Sequence, residues 1–284
     1  MTATASGTVA EAIGAATDAL TAAGCDTPRL DAELLLGEAT GSDRAALAAS
    51  PEAPVDAVAA RRFGEMVRRR VRREPVAYIL GRKGFRDIEL AVDPRVLIPR
   101  PETELLVELA VGLEPGTVLD VGTGSGAVAL AIADELKMAQ VQGTDTSAGA
   151  IEVARANAER LGLSDRVDFG LGALYGSYGG KKRPVADSYD LVVANLPYVT
   201  EAQWQTLAPE IREYEPKEAL VGGADGLEPI RDLLASLPAC EAVALEVGQG
   251  QAQAVASLIE AAGAYGTHVH RDLAGIDRVV VGRR

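Results

Sequence analysis

The 284-residue chain is poor in cysteine, histidine, aromatic side chains and long apolar runs. Its two cysteines, Cys25 and Cys240, cannot build a disulfide framework, and the N-terminus lacks the basic and then apolar pattern of a signal peptide. Both observations favour a cytoplasmic protein. No apolar run is long enough to cross a bilayer, so we expect no membrane partner. Because only 4% of the residues are aromatic, aliphatic side chains must fill the core.

Positive charge is scarce overall but locally dense. The formal net charge is −13, which argues against binding nucleic acid over the whole surface. Residues 61–86 nevertheless hold ten Lys or Arg against two acids, a local +8 that leaves −21 for the rest of the chain. This segment predicts either a docking face for an acidic or nucleic-acid-bearing partner or a solvated face paired with the acidic remainder. The charges alone do not decide between them.

Histidine is too rare for a metal centre. The only two, His268 and His270, alternate on a predicted terminal strand without an acid or cysteine at ligand spacing. Two imidazoles make an incomplete site, so we predict no metal.

The spacing of apolar residues divides the chain into a helical part and an α/β part. The pattern is helical up to Pro75, which predicts a small helical domain over residues 1–74. Residues 75–95 are predicted to form a β-hairpin connector. Beyond them strands and helices alternate, so residues 96–284 are predicted to form an α/β domain with a doubly wound, mostly parallel sheet and an antiparallel edge.

A glycine-rich turn follows the first strand of the α/β domain. Thr117–Val121 is a compact strand signal, and the glycines of Gly122–Gly126 let the backbone approach a ligand and leave N–H groups free at the start of the next helix. The following strand ends at Asp145, whose carboxylate can hold the ribose hydroxyls of a nucleoside. The turn also fits a loose dinucleotide fingerprint, so an NAD enzyme is an alternative. The close glycine spacing after Asp120 favours S-adenosylmethionine, whose ammonium group Asp120 would face through a water.

Asn195-Leu196-Pro197-Tyr198 ends a later apolar strand, where ligands sit in an open α/β sheet. The sequence suits methyl transfer to a planar, weakly nucleophilic nitrogen, because the Asn195 side-chain oxygen and the Leu196 carbonyl can accept the two N–H groups. Pro197 fixes the chain direction and Tyr198 offers a flat face. An ordinary turn beginning at Asn195 is the alternative for these four residues taken alone.

Taken together and in order, these motifs resemble those of the HemK/PrmC family, the protein-glutamine N5-methyltransferases that modify peptide chain release factors. The resemblance covers nearly the whole chain and is weakest in the helical domain. The matching stretches are Val96–Glu104, Val118–Gly126, Asn195–Tyr198, Val221–Leu227, Leu245–Gln251 and Gly275–Gly282.

The resemblance implies a Rossmann-like class I methyltransferase domain that uses S-adenosylmethionine. It also implies that the acceptor is the glutamine of a release factor's Gly-Gly-Gln loop and that the helical domain helps to hold the release factor. The acidic balance of the chain outside residues 61–86 predicts that nucleic acid is not bound directly. By position, the cofactor-binding residues would be Asp120, Gly122, Thr123, Gly124, Ser125, Gly126, Asp145, Leu174 and Asn195. The acceptor glutamine would be bound by Asn195, Leu196, Pro197 and Tyr198, with Asn195, Pro197 and Tyr198 as the catalytic candidates.

Two positions depart from the family pattern. Leu196 replaces a proline, which should be tolerated because the acceptor there is a backbone carbonyl. Asn-Leu-Pro-Tyr is also typical of adenine-N6 methyltransferases acting on RNA or DNA, which therefore remain an alternative. Ala173 stands where relatives often carry an acid, so a contact to the adenine amino group would be missing and cofactor affinity would be lower. A binding module without catalysis is a third reading, which the intact Asn195, Pro197 and Tyr198 oppose.

Overall fold

The computed structural model describes residues 7–172 and 188–283, with helices and strands numbered in chain order. The helices are α1 Val9–Ala22, α2 Pro28–Thr40, α3 Arg44–Ala49, α4 Ala57–Val71, α5 Val76–Leu80, α6 Glu104–Gly112, α7 Ala127–Glu135, α8 Ala148–Leu161, α9 Glu201–Trp204, α10 Pro209–Tyr214, α11 Glu228–Ala235 and α12 Ala252–Ala261. The strands are β1 Arg82–Phe85, β2 Ile88–Ala91, β3 Thr117–Val121, β4 Gln140–Asp145, β5 Val167–Leu171, β6 Ser188–Ala194, β7 Ala239–Glu246, β8 Gly266–Arg271 and β9 Asp277–Arg283. Short 3-10 helices span Pro101–Thr103 and Lys217–Ala219.

The chain forms two compact units. The helical unit contains the residues up to Gly81 together with α10, and the α/β unit contains the described residues of Arg82–Ala208 and everything described from Glu215 onwards. Within the described ranges, no helix is long and apolar enough to cross a membrane.

The helical unit is built around aliphatic side chains of α1, α2 and α4. Leu20, Leu35 and Leu36 are fully buried, and Phe63 packs into the same cluster. Arg70, at 5% exposure, is buried beside this core and is neutralised by Asp31 and by Glu210 of α10. A buried charge is tolerated only when it is paired in this way.

The basic segment divides into paired and exposed arginines. Arg69 pairs with Glu74, and Arg73 pairs with Glu210 at 2.6 Å. Arg61, Arg68 and Arg72 are exposed, and no ion pair to them occurs within residues 7–172 and 188–283. Their spacing of seven and four residues places these three on one side of α4 and its C-terminal end.

The prediction of a hairpin from residue 75 is wrong for its first part. Val76–Leu80 is a helix that begins after Pro75 and ends at Gly81, whose φ of 71° suits glycine. The β-branched Val76 and Ile79 suggested a strand, but burial of Tyr78 and Ile79 stabilises the helix instead. The hairpin itself consists of β1 and β2 only.

The α/β unit contains the predicted doubly wound sheet with an antiparallel edge, in the order β5-β4-β3-β6-β7-β9-β8. The strands from β5 to β7 are parallel, and β9 runs antiparallel to both β7 and β8. The middle of the sheet is largely buried because helices cover both faces. In β6, for example, Leu191, Val192 and Val193 are fully buried.

Candidate active site

The strand register brings the predicted motifs to one edge of the sheet. Val121 is paired with Thr144 on one side and with Ala194 on the other, and Ala194 is paired with Leu245. The residues that follow these positions therefore begin at the same level. They are Gly122, Asp145, Asn195 and Glu246.

Positive φ angles shape the glycine-rich turn. Gly122, Gly124 and Gly126 have φ angles of 75°, 56° and 83°, which side-chain-bearing residues rarely adopt. A Cβ atom on Gly122 would lie 2.9 Å from the Leu196 side chain. The turn and the Asn195–Tyr198 segment are therefore in direct contact, and glycine is needed at 122 for both reasons.

Most N–H groups of the turn itself are paired, whereas no hydrogen bond from the Ala127 or Val128 N–H, at the start of α7, occurs among the described residues. Gly122 and Thr123 donate their N–H groups to the Thr144 carbonyl at 2.8 and 2.9 Å, and Gly126 donates to the Thr123 carbonyl at 2.8 Å. Gly124 donates to the Asp145 carboxylate at 2.9 Å. The pairing of these four N–H groups leaves few donors for a pyrophosphate within the turn itself.

Asp145 lies at the end of β4 with its carboxylate half-buried. Its Oδ2 accepts the Gly124 N–H and its Oδ1 accepts the Ser147 N–H at 2.8 Å. These two bonds fix the carboxylate, and each oxygen keeps a further lone pair for a ligand hydroxyl.

Asp120 lies beneath the turn rather than on its surface. It is 1% exposed, and its Oδ2 accepts from the Thr123 hydroxyl at 2.7 Å and from the Ala129 N–H at 3.2 Å. Burial raises the pKa of Asp120 to about 7. Its contacts show that the side chain braces the turn and the start of α7.

Asn195 uses only the nitrogen of its side chain. Its Nδ2 donates to the Thr103 hydroxyl oxygen at 3.0 Å. Within the described part of the chain, neither the Asn195 Oδ1 nor the Leu196 carbonyl accepts a hydrogen bond. Two acceptors next to each other therefore remain available for one NH2 group.

The backbone of Pro197 and Tyr198 is held by the Val221–Gly226 loop. A Cβ atom on Gly222 would lie 2.2 Å from the Pro197 carbonyl oxygen, and one on Gly226 would lie 2.2 Å from the Tyr198 carbonyl oxygen. Gln251 donates its side-chain N–H to the same Tyr198 oxygen at 3.1 Å. The glycines of this loop thus permit a close backbone approach that fixes the end of the motif.

The Tyr198 ring is anchored through its hydroxyl, which lies 3.4 Å from Glu246 Oε1. Burial, together with the nearby Glu246 carboxylate, raises the pKa of Tyr198 to about 12. The phenol is therefore a neutral hydrogen-bond donor at any physiological pH.

The stiff segment before α6 is held by Glu215. This buried carboxylate accepts the Ile98 N–H at 3.1 Å and the Arg100 guanidinium at 2.5 Å. Arg100 also opposes the rise in the Tyr198 pKa, which places its charge near the phenol. The Ile98–Pro101 segment is therefore a fixed wall beside Tyr198.

Several residues of the site were missed by sequence reasoning. They are Thr103, Glu215, Glu246, Gln251 and Asn157. The Asn157 side-chain N–H donates to the Ser125 carbonyl in the glycine-rich turn. Thr103, Glu246 and Gln251 lie in stretches that carry the family resemblance, which was the available signal, while nothing in the sequence marks Asn157 or Glu215. Leu174 and Ala173, by contrast, lie outside the described residues. Among the residues that are described, no group of three or more His, Cys, Asp or Glu is placed to hold a metal ion.

Comparison with known proteins gives consistent matches. The family model of the PrmC N-terminal domain matches residues 11–81, and that of a methyltransferase domain matches residues 118–214. The release factor glutamine methyltransferase of Caulobacter vibrioides is 41% identical over 283 residues, covering 97% of this chain and 96% of that protein. That of Moorella thermoacetica is 40% identical over 286 residues, covering 98% and 99%.

Solved structures show the same fold at low identity. The hMettl16 catalytic domain, solved in complex with a 3'UTR hairpin, aligns with a TM-score of 0.54 at 15% identity and covers 68% of this chain and 75% of its own. A methyltransferase from Pyrococcus furiosus aligns with a TM-score of 0.50 at 18% identity and covers 68% and 87%. These likenesses confirm the class I methyltransferase fold of the α/β unit.

Proposed function

We propose a function from one premise: this chain belongs to the release factor glutamine methyltransferase family. It transfers a methyl group from S-adenosylmethionine to the side-chain amide nitrogen of a glutamine in a peptide chain release factor. We further propose that this glutamine belongs to the Gly-Gly-Gln loop, and that the helical unit helps to recognise the release factor.

The α/β unit fits the cofactor. The Gly122–Gly126 turn has no array of free N–H groups for a pyrophosphate, but it presents glycine backbone at the carboxyl edge of the sheet beside Leu196. Asp145 keeps lone pairs for ribose hydroxyls, and an ammonium group above the buried Asp120 would favour the ionised form of that carboxyl. When bound, S-adenosylmethionine supplies an electrophilic methyl group on a sulfonium. Leu174 remains a proposed neighbour of the adenine.

The available oxygens of Asn195 and Leu196 support the proposal most directly. A glutamine amide has a delocalised lone pair and is a poor nucleophile, so the site must hold the NH2 group by both hydrogens. Asn195 Oδ1 and the Leu196 carbonyl accept one hydrogen each. Pro197 and the Tyr198 ring then confine the planar amide. Positioning provides most of the acceleration, since no covalent enzyme intermediate is needed.

An adenine-N6 substrate presents the same planar NH2 group, but two features disfavour it. The relatives that match nearly the whole chain are named for glutamine methylation, and the chain has a net charge of −13. A nucleic-acid backbone would need a basic track, whereas a narrow channel suffices for a glutamine flanked by glycines. We therefore propose that nucleic acid is not a substrate.

Mass spectrometry of a release factor incubated with enzyme and S-adenosylmethionine tests the proposal. We expect one methyl group on the loop glutamine and none when that glutamine is replaced by glutamate, which has no amide nitrogen. Asn195→Ala should abolish transfer and largely spare cofactor binding measured by calorimetry. Methyl label in ribosomal RNA or DNA, with the release factor unlabelled, would overturn the assignment.

A further inference from the structure

Glu246 is a buried acid in direct contact with the site and has no role in the proposal so far. It ends β7 at 1% exposure. Its Oε1 accepts from the Tyr198 hydroxyl, whereas its Oε2 is buried without a hydrogen-bond partner among the described residues. An unpaired buried carboxylate oxygen opposes folding, so its presence calls for a functional reason.

Thr103 connects Glu246 to the acceptor motif. The Thr103 oxygen accepts the Asn195 Nδ2–H at 3.0 Å. The same hydroxyl is close enough to the Glu246 carboxylate to lower its pKa. Thr103 is 4% exposed and lies in the 3-10 helix Pro101–Thr103, so water does not readily replace either partner. Thr103 therefore lies beside both Glu246 and Asn195.

The direction in which Thr103 donates its proton fixes the Asn195 amide. A threonine hydroxyl can donate one hydrogen bond through its proton and can accept hydrogen bonds through its oxygen. Because an ionised carboxylate only accepts, a Thr103 hydroxyl that donates its proton to Glu246 must accept from Asn195 through its oxygen. Without that acceptor, Thr103 is free to donate to Asn195 Oδ1. The amide would then rotate by half a turn and place its NH2 group where the acceptor oxygen is needed.

We propose that Glu246 is a positioning residue for methyl transfer, which acts through Thr103 to keep the Asn195 side-chain oxygen directed at the substrate amide. Two N–H groups of a glutamine then meet two oxygens, whereas a rotated Asn195 would oppose them with N–H groups of its own. The inference rests on the proposed function for its catalytic consequence, but the orientation of Asn195 can be tested without turnover.

Charge around Glu246 makes this orientation dependent on pH. Burial raises the pKa of Glu246 to about 7, and Glu102 raises it further, whereas the Thr103 and Tyr198 hydroxyls and the Arg278 guanidinium oppose the rise. Below that pH the carboxyl group becomes a donor and no longer requires the Thr103 proton. The oriented fraction of Asn195, and with it the rate of transfer, should rise with pH through about 7.

The chain contains only two asparagines, Asn157 and Asn195, which makes the first test unusually clean. Selective labelling with 15N-asparagine gives two side-chain amide signals in an NMR spectrum, and Asn157 is an internal control because its three hydrogen bonds involve neither Glu246 nor Thr103. Glu246→Leu and Thr103→Val should each shift the Asn195 signal and speed its hydrogen exchange, while Thr103→Ser, which keeps the hydroxyl, should not. An Asn195 signal that is unchanged in both Glu246→Leu and Thr103→Val would overturn the inference.

Kinetics provide the second test. Glu246→Leu and Thr103→Val should each lower kcat at least tenfold with cofactor Kd within twofold, and the double variant should be no worse than the poorer single one. Glu246→Gln keeps an acceptor and should retain most of the rate while losing the pH dependence near 7.

The two proposals fail in different ways. If the native enzyme methylates no release factor, the proposed function is wrong, and the NMR comparison still decides whether Glu246 orients Asn195. If methylation occurs but Glu246→Leu keeps the native kcat, or the two single losses multiply in the double variant, the positioning role is wrong. Thr103→Val remains a complete test if Glu246→Leu does not fold.

Discussion

Replacing Asn157 by alanine should destabilise the α/β unit and loosen the glycine-rich turn together. Asn157 is fully buried on α8 and forms hydrogen bonds through both the oxygen and the nitrogen of its amide. Its Oδ1 accepts the Ala91 N–H at 2.7 Å, and its Nδ2 donates to the carbonyls of Ala91 and Ser125 at 3.0 and 2.9 Å. One side chain therefore joins the end of the β1–β2 hairpin to the turn.

The size of the effect follows from these three bonds. A hydrogen bond contributes about 0.5–1.5 kcal/mol net, and an abandoned buried partner costs about 1–3 kcal/mol. Ala91 is only half-buried, so water can replace part of its loss, whereas Ser125 is buried. We expect Asn157→Ala to lower the free energy of unfolding by about 2–5 kcal/mol, since the three contributions partly overlap.

The sole tryptophan provides the assay. Trp204 is buried in the α/β unit, so its fluorescence during urea unfolding reports this unit rather than the helical one. Glu159→Ala, at an exposed position of the same helix, is the matched control and should change the unfolding free energy by less than about 0.5 kcal/mol. S-adenosylmethionine affinity should fall in Asn157→Ala and stay constant in the control.

Two results would refute this reasoning. If Asn157→Ala lowers the free energy of unfolding by less than the exposed control does, water must hydrogen-bond to the backbone groups that Asn157 no longer contacts. A large loss of stability with native cofactor affinity would mean that the bond to Ser125 does not set the position of the turn.

Three further predictions concern charge. Asp145→Ala should weaken S-adenosylmethionine binding in calorimetry by about 1–3 kcal/mol, and an unchanged affinity in the folded variant would remove Asp145 from the site. Reversing Arg61, Arg68 and Arg72 to Glu should raise KM for an intact release factor and flatten its salt dependence, and an equal rise for a short Gly-Gly-Gln peptide would contradict docking. Burial holds the pKa of Asp120 at about 7, above its ordinary 3.8, so the folded state binds the extra proton and stability falls as pH rises. Between pH 4 and 8, the free energy of unfolding measured in urea should fall by roughly 4 kcal/mol less in Asp120→Asn than in the native protein. The same dependence on pH in both proteins would contradict the raised pKa of Asp120.

The sheet and the position of Asn195 at its edge were predictable because their signals are local. Thr117–Val121 is a mainly apolar run that is followed by glycines, which favour a turn, and Asn195 follows an equally clear run. Parallel pairing of such strands then brings their ends together without any long-range information. By contrast, Val76–Leu80 was misassigned because five residues carry too little periodicity to separate a buried helix from a strand.

The supporting residues could not be predicted because their partners are distant in sequence. Glu215 binds Ile98 and Arg100, more than one hundred positions away, and Asn157 joins two segments that come before it. A glutamate or asparagine in such a position has no distinguishing neighbours in the sequence. The same limitation applies to the basic segment, because only the structure shows that Arg69 pairs with Glu74 whereas Arg61, Arg68 and Arg72 are exposed.

The assignment of α10 to the helical unit has a consequence for how the protein is made. Arg70 and Arg73 rely on Glu210, which the ribosome adds only after strands β1 to β6 have been synthesised. In a nascent chain that has emerged only to Gly81, Arg70 can pair with Asp31 but not with Glu210, and Arg73 also lacks Glu210 as a partner. The helical unit therefore completes these ion pairs late in translation. A fragment cut at Gly81 should remain less stable than the same fragment supplied with a peptide spanning Pro209–Tyr214.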